Sequence, residues 1–237
     1  MQSDRIPTFI KGFDEHLEGG IPKGHVVLVA GTPGTMKSSL CFSILYNNVL
    51  RNSLKGVYLS FEQSEASIQQ QCGRLGMDLK KTEGRLSVID LASVRVALAA
   101  ANKPDKDWGD VVEKVIAQSR EKLGMELLVV DSLNALELLV GRDITRSEMF
   151  VFFEWMRKLG ITVLVVTEMS PDSSRYARGD EAFMADGLIH LKLAEVSDVD
   201  VQRRIRCVKM RGTRHHPGFF NLLVEGDRFE VTRTIGK

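Results

Sequence analysis

Apolar residues along this chain follow two rhythms. Residues 25–30, 56–61, 86–89, 125–130 and 161–166 are short, almost unbroken apolar runs, too brief for helices and suited to strands buried on both faces. Between them apolar positions recur at helical spacing, through Leu40, Cys41, Ile44 and Leu45 in residues 38–50, and again over 65–75, about 110–122 and 147–159. Ser64 is placed to cap the second of these helices. The alternation of strand and helix predicts an α/β fold, a mainly parallel sheet flanked by helices that takes its ligand at the carboxyl ends of the strands.

The segments outside this alternation complete the outline. Residues 14–17 form a short helix closed by Gly19-Gly20, and a turn over 22–24 delivers the chain to its first strand. Residues 102–109 and 170–183 are polar and loop-like, the second carrying Arg175, Arg178, Asp180 and Glu181. Residues 188–193, 203–210, 219–224 and 228–231 read as successive strands without helices between them. No linker precedes these strands, so they are expected to extend the same sheet with antiparallel pairing, and the chain is read as one domain over 1–237.

Composition narrows the picture in three ways. A chain of 237 residues can bury a large core without disulfides or structural metals. Its formal net charge of +1 argues against a surface that coats nucleic acid throughout. The three cysteines, Cys41, Cys72 and Cys207, are scattered and read as small buried hydrophobes in a reducing compartment. The first residues lack the apolar stretch of a signal peptide and no run approaches the length of a membrane span, so a cytoplasmic setting is expected.

The first strand runs into Gly31-Thr32-Pro33-Gly34-Thr35-Met36-Lys37-Ser38-Ser39, where a Gly-rich turn opens a helix with Lys-Ser. Converging backbone N–H groups at a helix N-terminus suit the phosphates of a nucleotide such as ATP. The expected nucleotide contacts are Thr32, Pro33, Gly34, Thr35, Met36, Lys37, Ser38 and Ser39, with Lys37 on the β/γ-phosphates and the Ser38 hydroxyl on Mg²⁺. Met36 stands where the P-loop pattern has its last glycine. With a helical φ a side chain is tolerated there; a positive φ makes it costly.

Four further groups carry candidate chemistry. Asp131 ends an apolar strand, either beside Mg²⁺ and Ser38 or as a cap for the turn 132–134. Glu62 ends the second strand, either polarising the water that attacks the γ-phosphate or starting the next helix. Strand alternation puts Lys209 and Arg211 on one face and turns Met210 to the other. That cation pair suits a transferring phosphoryl group, in the site of an adjacent subunit given its distance along the chain, or else a solvated basic edge. A nucleic-acid surface is the third reading, because Arg203, Arg204, Arg206, Lys209, Arg211 and Arg214 cluster without an intervening acid. His215-His216 has no further ligands at metal-site spacing.

Together, Gly12-Phe13-Asp14 with Gly19-Gly20-Ile21-Pro22-Lys23-Gly24, the 31–38 loop, Phe61-Glu62-Gln63-Ser64, Val130-Asp131-Ser132, Ala185-Asp186-Gly187-Leu188-Ile189 and Val208-Lys209-Met210-Arg211-Gly212 resemble the KaiC-like branch of the RecA superfamily, especially its single-domain archaeal members. The resemblance implies a RecA-like P-loop core and an ATPase assembled as a ring, usually a hexamer, with ATP between subunits. It implies that two adjacent glutamates after the second strand activate water; they match Glu62 and Gln63, and the amide cannot take a proton. The family's trans-acting Lys and Arg match Lys209 and Arg211, and Thr167-Glu168 resembles its phosphate-sensing segment. The clock protein that names the family has two such domains and autophosphorylates on its second, a role not implied for one domain. The leading expectation is a Mg²⁺-dependent ring ATPase. A slowly hydrolysing nucleotide-gated regulator and a DNA-associated recombinase relative stand as alternatives.

Overall fold

A computed structural model describes residues 4–100, 108–140, 144–170, 176 and 181–233. In chain order its elements are β1 (Arg5–Ile6), β2 (Ile10–Lys11), β3 (Ile21–Pro22), β4 (Val26–Gly31), α1 (Lys37–Asn52), β5 (Gly56–Ser60), α2 (Glu65–Arg74), β6 (Leu86–Asp90), α3 (Leu91–Ala100) and α4 (Trp108–Leu123). There follow β7 (Leu127–Asp131), α5 (Leu133–Val140), α6 (Arg146–Lys158), β8 (Thr162–Glu168), α7 (Glu181–Met184), β9 (Gly187–Ser197), β10 (Asp200–Met210), β11 (Phe220–Glu225) and β12 (Arg228–Arg233).

Among the described residues ten strands form one sheet in the order β2-β12-β11-β10-β9-β4-β8-β7-β5-β6. The run β6-β5-β7-β8-β4-β9 is parallel throughout. Antiparallel pairing begins at β10 and continues through β11 and β12. The first of the late strands, β9, therefore pairs parallel with β4 and not antiparallel as expected, because the connection between β8 and β9, which includes α7, returns the chain to the edge from which β8 starts. The other side of the sheet closes with β2, which lies parallel to β12.

Alternation within β4 explains the unbroken apolar runs. Val27 and Val29 point to a core shared with α1 and α2, while Val26, Leu28 and Ala30 point to a second core under α4, α5 and α6. A strand covered by helices on both faces has no solvent side and needs no polar alternation. Helix starts carry their expected chemistry: the Ser64 side chain accepts from Ser67 N–H, and Thr145 and Glu148 form a reciprocal capping box on α6. Helices α3 and α5 were not expected, and the turn read over 132–134 is the start of α5. The short helix α7 lies inside the segment expected to be a loop; 171–175 and 177–180 of that segment, and 102–107 of the other, lie outside the described residues.

Parallel register aligns Gly31, Glu168 and Asp131 near one edge of the sheet, with Ser60 opposite Asp131. Because β10 runs the other way, its end at Met210 lies opposite Gly187, and Gly187 lies opposite Val27. Lys209 and Arg211 thus sit at the edge opposite Gly31, and four residues of β4 correspond to about 13 Å of strand.

Asp186 ties this second edge together. Its Oδ2 accepts from Val26 N–H at 3.0 Å and Arg157 Nε at 2.8 Å, and its Oδ1 accepts from Arg211 at 2.7 Å. Burial alone would raise its carboxyl, but these donors hold it below the usual carboxylate range. Replacing Asp186 with Ala strands a partly buried guanidinium and is expected to cost about 3 kcal/mol in urea unfolding. Because the folded pKa is depressed, the carboxylate's contribution is complete above the unfolded pKa and is lost as pH falls through the folded one. Melts of the wild type and the Asp186→Ala variant should therefore converge toward acid pH.

Candidate functional site

The strand–loop–helix unit builds the site from β4 outward. Gly31 runs so close to β9 that a Cβ there would lie 2.4 Å from the Leu191 carbonyl oxygen, so only glycine lets the strand end where it does. The loop then folds on itself: Thr35 Oγ1 donates to Thr32 O at 2.8 Å, and Lys37 Nζ donates to the same oxygen at 3.1 Å. Helix α1 begins at Lys37 and runs for 16 residues, so its free N–H groups and dipole face the concavity of the loop.

Met36 has φ 71° and ψ 29°, the left-handed conformation and not the helical one. The glycine of the P-loop pattern is replaced here without a change of backbone geometry, at a strain of about 1 kcal/mol. Its side chain is partly buried against the α1 core, a contact that offsets some of that strain. The loop closes around Thr32 despite it.

One ammonium and three carboxylates share the carboxyl edge. Burial lowers the pKa of Lys37, and the charges of Glu168, Asp131 and Glu62 oppose that shift. Asp131 is pushed up by burial, against hydrogen bonds from Tyr58 and Ser38 and the charge of Lys37. Glu62 is also raised, first by burial and then by Glu168 and Asp131. Glu62 and Gln63 both have exposed side chains; Gln63 N–H donates to Ser60 Oγ at 3.0 Å, which fixes the backbone where the carboxylate projects. The carboxyl edge thus brings Lys37, Ser38, Glu62 and Asp131 together.

The Ser38 hydroxyl and Asp131 carboxylate form a pair of hard oxygen donors, the kind Mg²⁺ takes alongside phosphate oxygens and water. Among the described residues no group of three His, Cys, Asp or Glu side chains could hold a metal by itself, and Mg²⁺ bound with a nucleotide needs none. The donor set therefore fits that ion.

Sequence reasoning did not single out Asn134 or Tyr58. Asn134 Oδ1 accepts from Glu168 N–H at 2.7 Å and from Thr167 Oγ1 at 3.3 Å, joining the tip of β8 to α5. Tyr58 donates its phenolic hydrogen to Asp131 Oδ2. The sequence carried a usable signal for the second, since Tyr58 puts a hydroxyl that needs a partner inside a buried strand.

Lys209 and Arg211 share a face as predicted, and Met210 is buried on the α1 side. The Lys209 ammonium donates to Ala185 O at 2.6 Å, Phe183 O at 3.1 Å and Ala182 O at 3.3 Å, and Arg211 pairs with Asp186. The pair lies away from the chain's own P-loop, at the other edge. The basic stretch does not form one stripe. Ile205 and Cys207 point to the α1 core, which by alternation puts Arg203 on that side and Arg204 and Arg206 on the other. There Lys192 Nζ and the Arg206 guanidinium lie 4.1 and 4.4 Å from the Phe219 ring centre. His215 and His216 contact separate backbone groups, at Thr213 and Val208 and at Gly218.

This arrangement defines a P-loop core of RecA type, a mainly parallel sheet whose carboxyl edge carries a glycine-containing turn into α1, a strand-end aspartate and a strand-end glutamate. A family model described as "ATPase: KaiC" matches residues 6–234, and the chain belongs to the KaiC family of ATPases. It is 30% identical over 219 residues to a UPF0273 protein of Aeropyrum pernix, covering 90% of this chain and 87% of that one. It is 29% identical over 240 residues to the circadian clock oscillator protein KaiC of Rippkaea orientalis, covering 96% of this chain but 44% of the clock protein. The chain thus spans under half the length of that relative. The crystal structure of a KaiC-like protein from the archaeon Pyrococcus horikoshii superposes with a TM-score of 0.82 at 25% identity, covering 96% of this chain and 98% of that one. The described residues include no helix long and apolar enough to cross a membrane.

The left-handed backbone at position 36 makes a prediction. Met36→Gly should leave ATP affinity within about threefold of wild type, read by calorimetry, because the conformation is already the one glycine prefers. Met36→Val places a β-branched side chain at positive φ and should lower stability by about 1 kcal/mol or more in urea unfolding.

Proposed function

We propose that this chain is a Mg²⁺-dependent ATPase that works as a homo-hexameric ring, with ATP bound between subunits. The observation that carries the reading is the division of the chemistry between two edges of one sheet. Lys37, Ser38, Asp131 and Glu62 gather at the carboxyl edge, and Lys209 and Arg211 sit at the other, where they cannot serve the same loop. Head-to-tail packing of copies around a ring brings the second edge of one subunit against the first edge of the next. The family resemblance supports this geometry, and the three buried free thiols fit a reducing cytoplasm.

Each group then has a role within one ATPase domain. The amides and side chains of Thr32, Pro33, Gly34, Thr35, Met36, Lys37, Ser38 and Ser39 hold the nucleotide, with Lys37 on the β/γ-phosphates. Ser38 and Asp131 hold Mg²⁺, which supplies charge neutralisation at the phosphate oxygens. Glu62 orients the attacking water and takes its proton as the oxygen bonds to the γ-phosphorus and ADP leaves. A pKa raised by burial and by neighbouring carboxylates makes Glu62 a stronger base than an ordinary surface glutamate. Lys209 and Arg211 face the charge that develops on the adjoining subunit's transferred group. Arg211 keeps 52% of its side chain exposed and so remains available to that subunit.

Gln63 favours a second reading. An amide beside Glu62 leaves a single carboxylate to activate water, which suits a slowly turning nucleotide switch that signals to a protein partner. Turnover by Gln63→Glu separates the two, because a large gain in rate supports the switch and no change supports the enzyme. ADP and ATP are ligands under either reading; nucleic acid is not required by either.

Lys209→Ala and Arg211→Ala should each lower turnover by about a thousandfold while leaving nucleotide affinity within a few-fold. Mixing Arg211→Ala with Glu62→Gln subunits should restore part of the activity, since some shared sites then contain both intact groups. Unchanged turnover in the single variants, or no recovery on mixing, would remove the between-subunit part. With Glu62 as base, the rate should fall as pH drops through a pKa above the ordinary glutamate value, and this acid limb should be missing from the residual activity of Glu62→Gln.

A further inference from the structure

Tyr58 lies in the middle of β5, opposite Val129 on the parallel strand β7. Val129 and Asp131 are two residues apart and so project from the same face of the sheet, and Tyr58 joins them on the α1 side. A diagonal neighbour of this kind is about 7–8 Å away between backbones, a span that an aromatic side chain can bridge. The phenolic hydroxyl reaches Asp131 Oδ2, and since an ionised carboxylate can only accept, Tyr58 is the donor.

The ring is fixed from the other side. Tyr58 is 3% exposed, and its ring packs on Phe42 with centres 5.3 Å apart. Phe42 stands four residues after Ser38 on α1, on the same helix face. Helix α1 therefore acts on Asp131 twice, directly through the Ser38 hydroxyl and indirectly through the tilted ring contact of Phe42 with Tyr58. A phenylalanine would fill the same space and make the same ring contact, so the hydroxyl is the part that packing does not require.

We propose that Tyr58 is a positioning residue for the proposed metal-holding carboxylate: it fixes one oxygen of Asp131, aims the other toward the Ser38 side of the site, and thereby sets the affinity for Mg²⁺. The inference rests on the nucleotide-and-metal reading of the site given above. It extends that reading to a buried tyrosine whose hydroxyl touches neither nucleotide nor metal. Partners that orient a metal's ligands commonly change metal affinity by ten- to a hundredfold when removed.

The test uses Mn²⁺ as a paramagnetic stand-in for Mg²⁺, titrated into the full chain with ADP and followed by electron paramagnetic resonance. Tyr58→Phe should raise the Mn²⁺ midpoint about tenfold or more, with ADP affinity in EDTA within twofold of wild type and a melting temperature close to it. In an Asp131→Ala background the same substitution should have no further effect, because the hydroxyl acts through that carboxylate. An unchanged midpoint in a folded Tyr58→Phe protein overturns the inference. So does a further tenfold loss in the Asp131→Ala background, or a Tyr58→Phe chain that does not fold, which would make the hydroxyl part of the core. Wild-type protein that takes up no Mn²⁺ with ADP would instead remove the metal reading itself.

Discussion

The structure turns on an imbalance of charge at the carboxyl edge of a parallel sheet. One ammonium, Lys37, stands among three carboxylates, Glu62, Asp131 and Glu168, in a partly desolvated crevice. Burial raises Asp131 and Glu62 and lowers Lys37, so none of the three holds its charge as easily as it would in water. A triphosphate brought to this edge alone would meet further negative charge. In the proposed function a divalent cation accompanying it would offset that charge, with Ser38 and Asp131 as its candidate oxygen donors. This excess of carboxylates around Lys37 is the electrostatic support for a metal in the proposed function.

That edge exists because of how the strands are covered. Helices on both faces make β4, β5, β7 and β8 apolar along their lengths, and the first residues free to be polar are those at the strand ends. Parallel pairing then places the ends side by side, so Gly31, Glu168 and Asp131 arrive together although they are far apart in sequence. The same topology sends β10 in the opposite direction and leaves its basic end on the far side. One sheet therefore generates two chemically different edges, one rich in carboxylates around a phosphate loop and one carrying Lys209 and Arg211.

What could be read in the sequence follows the same physics. The parallel strands were legible because double-sided burial writes itself as an apolar run, and the loop from Gly31 to Ser38 because few other functions need that spacing. Helix α5 was not, because Leu133-Asn134-Ala135-Leu136 continues the apolar character of β7 with no polar break to separate strand from helix. Helix α3 follows β6 just as directly, although Asp90 accepts from Ser93 N–H at 2.8 Å and was a usable cap signal. The direction of β9 was misread because periodicity records which faces are buried and not which way a neighbour runs. The left-handed Met36 was beyond any pattern, since only the fold shows that the turn keeps a glycine's backbone while carrying a thioether. The cation stretch looked continuous because sequence proximity hides the two faces of a strand; in space Arg206 joins Lys192 around Phe219, with Arg204 opposite Lys192 in the ladder, while Lys209 and Arg211 go to the segment at Asp186.

Strand β4 connects the two edges physically. Its last residue, Gly31, opens the phosphate loop under the carbonyl of Leu191, and its first, Val26, donates to the carboxylate that also holds Arg211 and Arg157. Between them every residue is fully buried, and the strand is paired on both sides, with β8 and with β9. A strand so clamped cannot stretch or slip by a residue without moving side chains between the two cores. The phosphate loop and the Arg211 anchor are therefore held at a fixed spacing of about the length of one short strand. In the proposed ring, each protomer would present its neighbours with a rigid gauge: a shift of the loop at one interface would be carried, through β4 and Asp186, as a shift of the cations at the next.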